Sequence, residues 1–254
     1  MKVSVLASGS EGNSTYIETA KHKVLIDLGM NVKYLKEKLL ELNVLLSDID
    51  IVLISHVHKD HIAALDNFIK KYKPNICLSQ KMFSELPNMQ NYENTIIYDD
   101  QLIFDNLTIE IFKTSHDTSD SRGFVLTSAN CSMVYVTDTG YLNQKYFNLL
   151  KNKNIYVFES NHDPDMLMNG KYPPWLKKRV IGDKGHLSNR DSAFYLTKLV
   201  GQDTKKIILA HLSKENNTEQ VALQTLKSIF FEYGIPLISV ECAKQKEKTE
   251  VIEI

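Results

Sequence analysis

Between Ile51 and His61 the chain reads IVLISHVHKDH, an apolar run that passes directly into His56, His58, Asp60 and His61. Imidazole nitrogen and carboxylate oxygen are the ligands that zinc, manganese and iron favour, and four such groups within six residues are costly to hold together without a cation. Alternate side chains of an extended or turning backbone share a face, so His56 and His58 can grip one ion. Asp60 and His61 lie past the turn and can face a second. The run therefore reads as a two-metal site.

The elements that must position these groups are legible around them. Ile62, Leu65, Ile69 and Tyr72 recur at helical spacing through IAALDNFIKKYK, with Lys70, Lys71 and Lys73 near the end, so the ligands sit on a strand-to-helix loop. Two ions need more ligands than this loop supplies. His116 follows the alternating segment Leu107–Phe112, Asp138 ends the run from Met133 to Thr137, and His211 ends Lys206–Ala210. Each is a polar residue at the carboxyl end of an expected strand, where α/β proteins commonly place functional groups.

The series H-x-H-x-D-H, then a lone histidine, an aspartate and a final histidine, resembles the metallo-β-lactamase superfamily over the whole chain. The resemblance implies an α/β metallo-β-lactamase fold, a four-layer αββα sandwich. It assigns His56, His58 and His116 to one metal, Asp60, His61 and His211 to the other, and Asp138 to a bridge between them. The β-lactamases usually carry a cysteine in that bridging place, so this chain is closer to the hydrolase and nuclease branches. Ala7-Ser-Gly-Ser-Glu-Gly-Asn13-Ser, Ser115-His-Asp117, Thr137-Asp-Thr-Gly-Tyr141, Glu159-Ser-Asn-His162-Asp and Gly185-His-Leu-Ser-Asn189 together resemble the YycJ (WalJ) family, described as 5′-to-3′ exonucleases on duplex DNA.

That family implies two divalent ions, zinc, manganese or iron, and a metal-bridging hydroxide as nucleophile. Two cations about 3.5–4 Å apart share a water, lower its pKa and clamp the oxygens of a phosphodiester. Asp60 then counts among the catalytic groups as well as the ligands. Phosphodiesterases of the superfamily place a Gly-His histidine beside the scissile phosphate, which makes His186 the candidate for protonating the leaving oxygen. Asn13 is expected to face the site from its glycine-rich loop, and Asp27 to steady the histidine loop. His162 either lines the site or is a hydrogen-bonded structural residue. His22, between two lysines in an expected hairpin turn, reads as a surface residue.

At 254 residues with 43% hydrophobic content the chain can bury a sizeable core, and no linker or low-complexity tract divides it, so one domain over 1–254 is expected. Val24-Leu-Ile-Asp27-Leu-Gly29 and Val134-Tyr-Val-Thr-Asp138-Thr-Gly140 share a strand closing on Asp-x-Gly, a faint echo that would suit two related halves or arise by coincidence. Ala222, Leu226, Ile229 and Phe230 form an ordinary core stripe within Thr218–Tyr233. Cys77, Cys131 and Cys242 are odd in number and irregularly spaced, which argues against a disulfide framework and fits a reducing cytoplasm. The amino terminus shows neither signal peptide nor membrane span.

Net charge is −1, so bulk electrostatics do not announce a nucleic-acid binder. The local cluster Trp175-Leu-Lys-Lys-Arg179, with Lys184 and Arg190, is either a solvated helix face or a phosphate-tracking patch beside His186. The expected function is a dinuclear-metal phosphodiesterase acting on duplex DNA. The alternatives are a tRNA-processing or small cyclic phosphodiesterase, and a glyoxalase II-like thioester hydrolase. The chain lacks a long Gly/Pro-rich arm for tRNA, and the basic residues near His186 favour phosphate over an acyl carbon.

Overall fold

Short runs of β-branched and aliphatic residues form the strands of this computed structural model, which describes residues 1–254. The chain divides into two compact units, one made of 1–111, 118–120 and 244–254, the other of 112–117 and 121–243.

In the first unit the order is β1 (Lys2–Ala7), β2 (Ser14–Glu18), β3 (Lys23–Ile26), α1 (Val32–Leu40), β4 (Ile51–Leu53), α2 (Lys59–Ile62), α3 (Leu65–Tyr72), β5 (Asn75–Leu78), α4 (Gln80–Glu85) and β6 (Thr95–Ile97), followed by a hairpin of β7 (Gln101–Phe104) and β8 (Leu107–Lys113), whose last two residues belong to the second unit. β1, β2 and β3 pair antiparallel, and β3, β4, β5 and β6 then run parallel. β3, β4 and β5 are buried along nearly all their length, which is why they read as unbroken apolar runs, whereas the edge strand β6 is not.

The second unit carries β9 (Arg122–Ser128), β10 (Cys131–Val136), α5 (Phe147–Leu150), β11 (Ile155–Glu159), α6 (Pro164–Asn169), α7 (Pro174–Ile181), α8 (Asn189–Leu199), β12 (Lys206–Ala210), α9 (Glu219–Glu232) and β13 (Ser239–Cys242). β9 and β10 are antiparallel; β10 to β13 are parallel neighbours in chain order. Leu196 and Leu199 of α8, and Ala222, Leu226 and Phe230 of α9, pack in one core with Val134, Val136, Tyr156, Phe158 and Ile207 of the strands. Ser188 and Thr218 cap α8 and α9 by accepting from backbone N–H groups three residues on. The last strand, β14 (Ile252–Glu253), pairs with β1 and so belongs to the first sheet.

Both sheets are thus mixed and flanked by helices, and each joins several antiparallel strands to a parallel run. No helix is long and apolar enough to cross a membrane. The three cysteines are free thiols, two of them buried. His22 departs from its expected place on the surface: its imidazole is only 13% exposed, because Asp50 accepts from Nδ1 at 2.6 Å.

Candidate functional site

In the first unit the candidate groups gather where β3 and β4 end. Asp27 closes β3 with a left-handed backbone, φ 63°, and its buried carboxylate accepts from Ser55 N at 2.8 Å, Ser55 Oγ at 2.7 Å and His61 Nδ1 at 2.7 Å. Bonding at Nδ1 leaves the lone pair of His61 on Nε2, the atom a metal would need. His56 and His58 approach with Nε2 and Nδ1 3.2 Å apart, and the His56 and His61 rings lie 3.9 Å apart.

A continuous helix through this loop does not form. In one, the carbonyls of Asp60 and His61 would accept from Ala64 and Leu65; here they accept from Asn13 N at 2.8 Å and Leu28 N at 2.7 Å, while Ala64 N turns to Leu28 O. The helix therefore breaks between Ile62 and Leu65. Gly29 makes this stitching feasible, since a Cβ there would lie 1.7 Å from Asp60 O. Asn13 is buried in the same knot: its amide contacts His61 Nε2 at 2.9 Å and Asp60 Oδ2 at 3.4 Å, and its carbonyl accepts from Gly9 N.

The second unit repeats the pattern at the carboxyl ends of β10, β11 and β12. Asp138, φ 55°, and His211, φ 57°, again adopt the left-handed conformation, which costs a non-glycine residue about 1–3 kcal/mol and persists only where the surroundings impose it. Three imidazoles approach Asp138 Oδ1: His211 Nε2 at 3.4 Å, His186 Nδ1 at 3.6 Å and His116 Nε2 at 3.7 Å. His116 Nδ1 faces Gly185 O at 3.2 Å, which directs Nε2 inward, and burial pushes its pKa below the usual histidine value against the pull of Asp138. That direction favours the neutral form, the one a metal ligand needs.

Glu159 is a functional candidate that reading the residues alone passed over as the end of strand IYVFE. Its carboxylate is fully buried, accepts from His186 Nδ1 at 2.7 Å and lies 3.3 Å from His211 Nδ1. Burial by itself would raise its pKa, but the charge and hydrogen bonds of His186 and His211 outweigh that and hold it well below the carboxylate range. The sequence signal available was an acidic side chain closing a wholly apolar strand. Ligand atoms of Asp138, Glu159, His186 and His211 all lie within 4.8 Å of one another. The second unit thus offers by itself a His/carboxylate cluster compatible with a divalent cation.

His186 owes its place to α7. Gly182 N, Gly185 N and His186 N bond successively to Lys178 O, Gly182 O and Val180 O, so the end of the helix folds straight into the Gly-His loop. A Cβ on Gly185 would sit 2.1 Å from Val180 O, so glycine is required there. Arg179 of α7 donates from Nε to Asp117 at 2.5 Å, and Asp117 lies 3.3 Å from His116 Nε2. Lys177 donates to Met168 O, whereas Lys178 and Lys184 are exposed.

His162 lies three positions past β11, on a bridge with Ser188, and its buried Nδ1 has no hydrogen-bond partner. Burial, the largest influence, drives its pKa to about 4 together with the charge of His186, while Glu159, Asp191 and Asp163 pull the other way. Because the folded value lies below the unfolded one near 6.5, the unfolded chain binds more protons in this window, and stability falls as pH drops from 6.5 toward 4. Between pH 7.5 and 5 this group should remove about 2 kcal/mol. Urea unfolding of His162→Gln should lack that part of the pH dependence; an unchanged difference would place it elsewhere.

The family model described as the metallo-beta-lactamase superfamily matches residues 7–211. A Streptococcus pneumoniae protein named exodeoxyribonuclease WalJ is 37% identical over 233 residues, 89% of this chain and 86% of the relative. A Bacillus anthracis protein named exodeoxyribonuclease YycJ is 32% identical over 238 residues, covering 91% and 89%. Among solved structures, the metallo-β-lactamase fold protein YhfI of Bacillus subtilis superposes with a TM-score of 0.73 at 18% identity, over 98% of this chain and 99% of that one.

Proposed function

The chain belongs to the metallo-β-lactamase superfamily and is a hydrolase of that fold; from this premise we propose that it is a dinuclear-metal phosphodiesterase that shortens duplex DNA from the 5′ end. The single domain over 1–254 is part of the same proposal. One ion would be held by His56, His58 and His116, the other by Asp60, His61 and His211, with Asp138 shared. The residues fit such ions: Asp27 and the Gly185 carbonyl occupy Nδ1 of His61 and His116, leaving Nε2 for a metal. When bound, zinc, manganese or iron would supply Lewis acidity and a water acidic enough to attack at neutral pH.

The observation that carries the reading is the Glu159–His186 pair beside Asp138. Glu159 fixes His186 through Nδ1 and turns Nε2 outward, the arrangement of a proton donor to a leaving sugar oxygen. Asp60 would hold a cation and, through it, the geometry of attack. The Asn13 amide touches the same atoms, His61 Nε2 and Asp60 Oδ2, that would bind the cation, so it would have to yield them to the metal. Relatives named exodeoxyribonucleases support nucleic acid as the substrate, and free thiols fit a cytoplasmic setting.

A panel of 5′- and 3′-labelled duplex DNA, single-stranded DNA, RNA, a tRNA precursor and a thioester, with manganese- and zinc-loaded protein, tests the proposal. Release of label from the 5′ end of duplex DNA is expected. Intact duplex alongside turnover of the tRNA precursor or thioester would favour one of the alternative reactions. Binding should weaken with salt, and replacing Lys178 and Lys184 together should reduce the log–log slope by up to about 2. An unchanged slope would return these lysines to a solvated face.

A further inference from the structure

Trp175 is 68% exposed on α7, with Met168 59% exposed and Ile181 53% exposed on the same segment. A tryptophan left in water, on a helix that also builds the catalytic loop, calls for an occupant. Its helix is tied to the candidate site at two points. Arg179, one turn on and on the same face, reaches Asp117 beside His116, and the carbonyls of Lys178 and Val180 hold the loop that presents His186. Between residues 163 and 184 there are five basic side chains, Lys171, Lys177, Lys178, Arg179 and Lys184, against three acidic ones. One of the acids, Asp163, is engaged in capping α6.

An exposed indole within a basic segment matches single-stranded nucleic acid, whose phosphates follow the positive charge while its bases stack on aromatic faces without sequence preference. A lipid surface or a protein partner would not need the indole one helical turn from the arginine that reaches the site. We propose that Trp175 is a stacking platform for an unpaired nucleobase next to the scissile phosphate, with Lys178 and Lys184 steering the adjoining phosphates. This rests on the nuclease reading above. It adds that the strand is unpaired where it enters the site, so a duplex end must fray before cleavage.

The chain has one tryptophan, so its fluorescence reports this position alone. Titrating the metal-loaded protein with a phosphorothioate oligonucleotide should quench that emission saturably. Trp175→Ala should raise KM for DNA about 5- to 150-fold, with the loss smaller in kcat. Trp175→Phe should recover most of it, and a substrate with a short unpaired 5′ tail should suffer less from blunt-end pairing than a fully paired one. On a chromogenic phosphodiester that offers no neighbouring base, the effect of Trp175→Ala should shrink. If the wild type cleaves DNA while Trp175→Ala keeps its KM and the emission is unquenched, the stacking platform is wrong and the nuclease reading survives. If the wild type hydrolyses the chromogenic diester but binds and cleaves no nucleic acid, the nuclease reading itself fails. A change of oligomeric state in Trp175→Ala with unaltered DNA affinity would also overturn the proposal, making this face a contact between copies.

Discussion

Replacing Asp138 by asparagine should lower kcat/KM by at least about 10³-fold, because it removes the one carboxylate approached by three imidazoles and proposed to serve both cations. Stabilisation by a bound cation is worth several kcal/mol in such sites, and each 1.4 kcal/mol is a factor of ten. Asparagine keeps the side-chain size, and it tolerates the left-handed backbone that Asp138 adopts, so the fold should survive. The loss should therefore appear with unchanged circular dichroism and with at least one equivalent of metal missing by elemental analysis. Retention of both metals with a rate within tenfold of wild type would remove Asp138 from the centre. Global unfolding is not expected, since the neighbouring carboxylate Glu159 keeps its own partners.

Much of this arrangement was readable because it follows backbone rules. Parallel strands buried on both faces must be continuous apolar runs, so Asp27, His56, Asp138 and His211 stood out as the first ionisable residues after them. The Asp-x-Gly echo also gains physical content. Asp27 and Asp138 each follow the second strand of an antiparallel pair, each has φ near 60°, and each is followed by a parallel strand whose end bears a site group, His56 after β4 and Glu159 on β11. Two short matches in sequence become two matching positions in sheet order.

What stayed hidden depends on partners distant in sequence. The break in the helix after Ile62 is caused by Asn13 and Leu28 taking its carbonyls, and local periodicity carries no trace of that competition. Glu159 looked like a strand terminus until His186, 27 residues away, was seen to bond it. The cluster at 177–179 reads as uniform positive charge, yet Lys177 is bound to Met168 O and Arg179 to Asp117. His22, flanked by lysines, is drawn inward by Asp50, 28 residues on.

His186→Ala should keep both metals and lose about 10²–10⁴ in rate, the range typical of removing a general acid. The geometry offers two roles for this residue, since His186 bonds Glu159 at 2.7 Å like an oriented proton donor and also lies within a cluster that could itself hold a cation. They diverge in what is lost. If His186 protonates the leaving oxygen, the loss falls mainly on kcat, metal content is unchanged, and a nitrophenolate leaving group, which needs little protonation, largely restores the rate. The basic or acidic limb of the pH–rate profile that reports the donor should also disappear. Glu159→Gln is the companion variant: it leaves His186 in place but weakens the acceptor at Nδ1, so it should give a smaller loss and displace that limb. Should His186→Ala instead lose an equivalent of metal, with equal losses on good and poor leaving groups, the residue is a ligand. A rate indistinguishable from wild type would make the pair structural, with Glu159 and His186 serving to seat the Gly-His loop against α7.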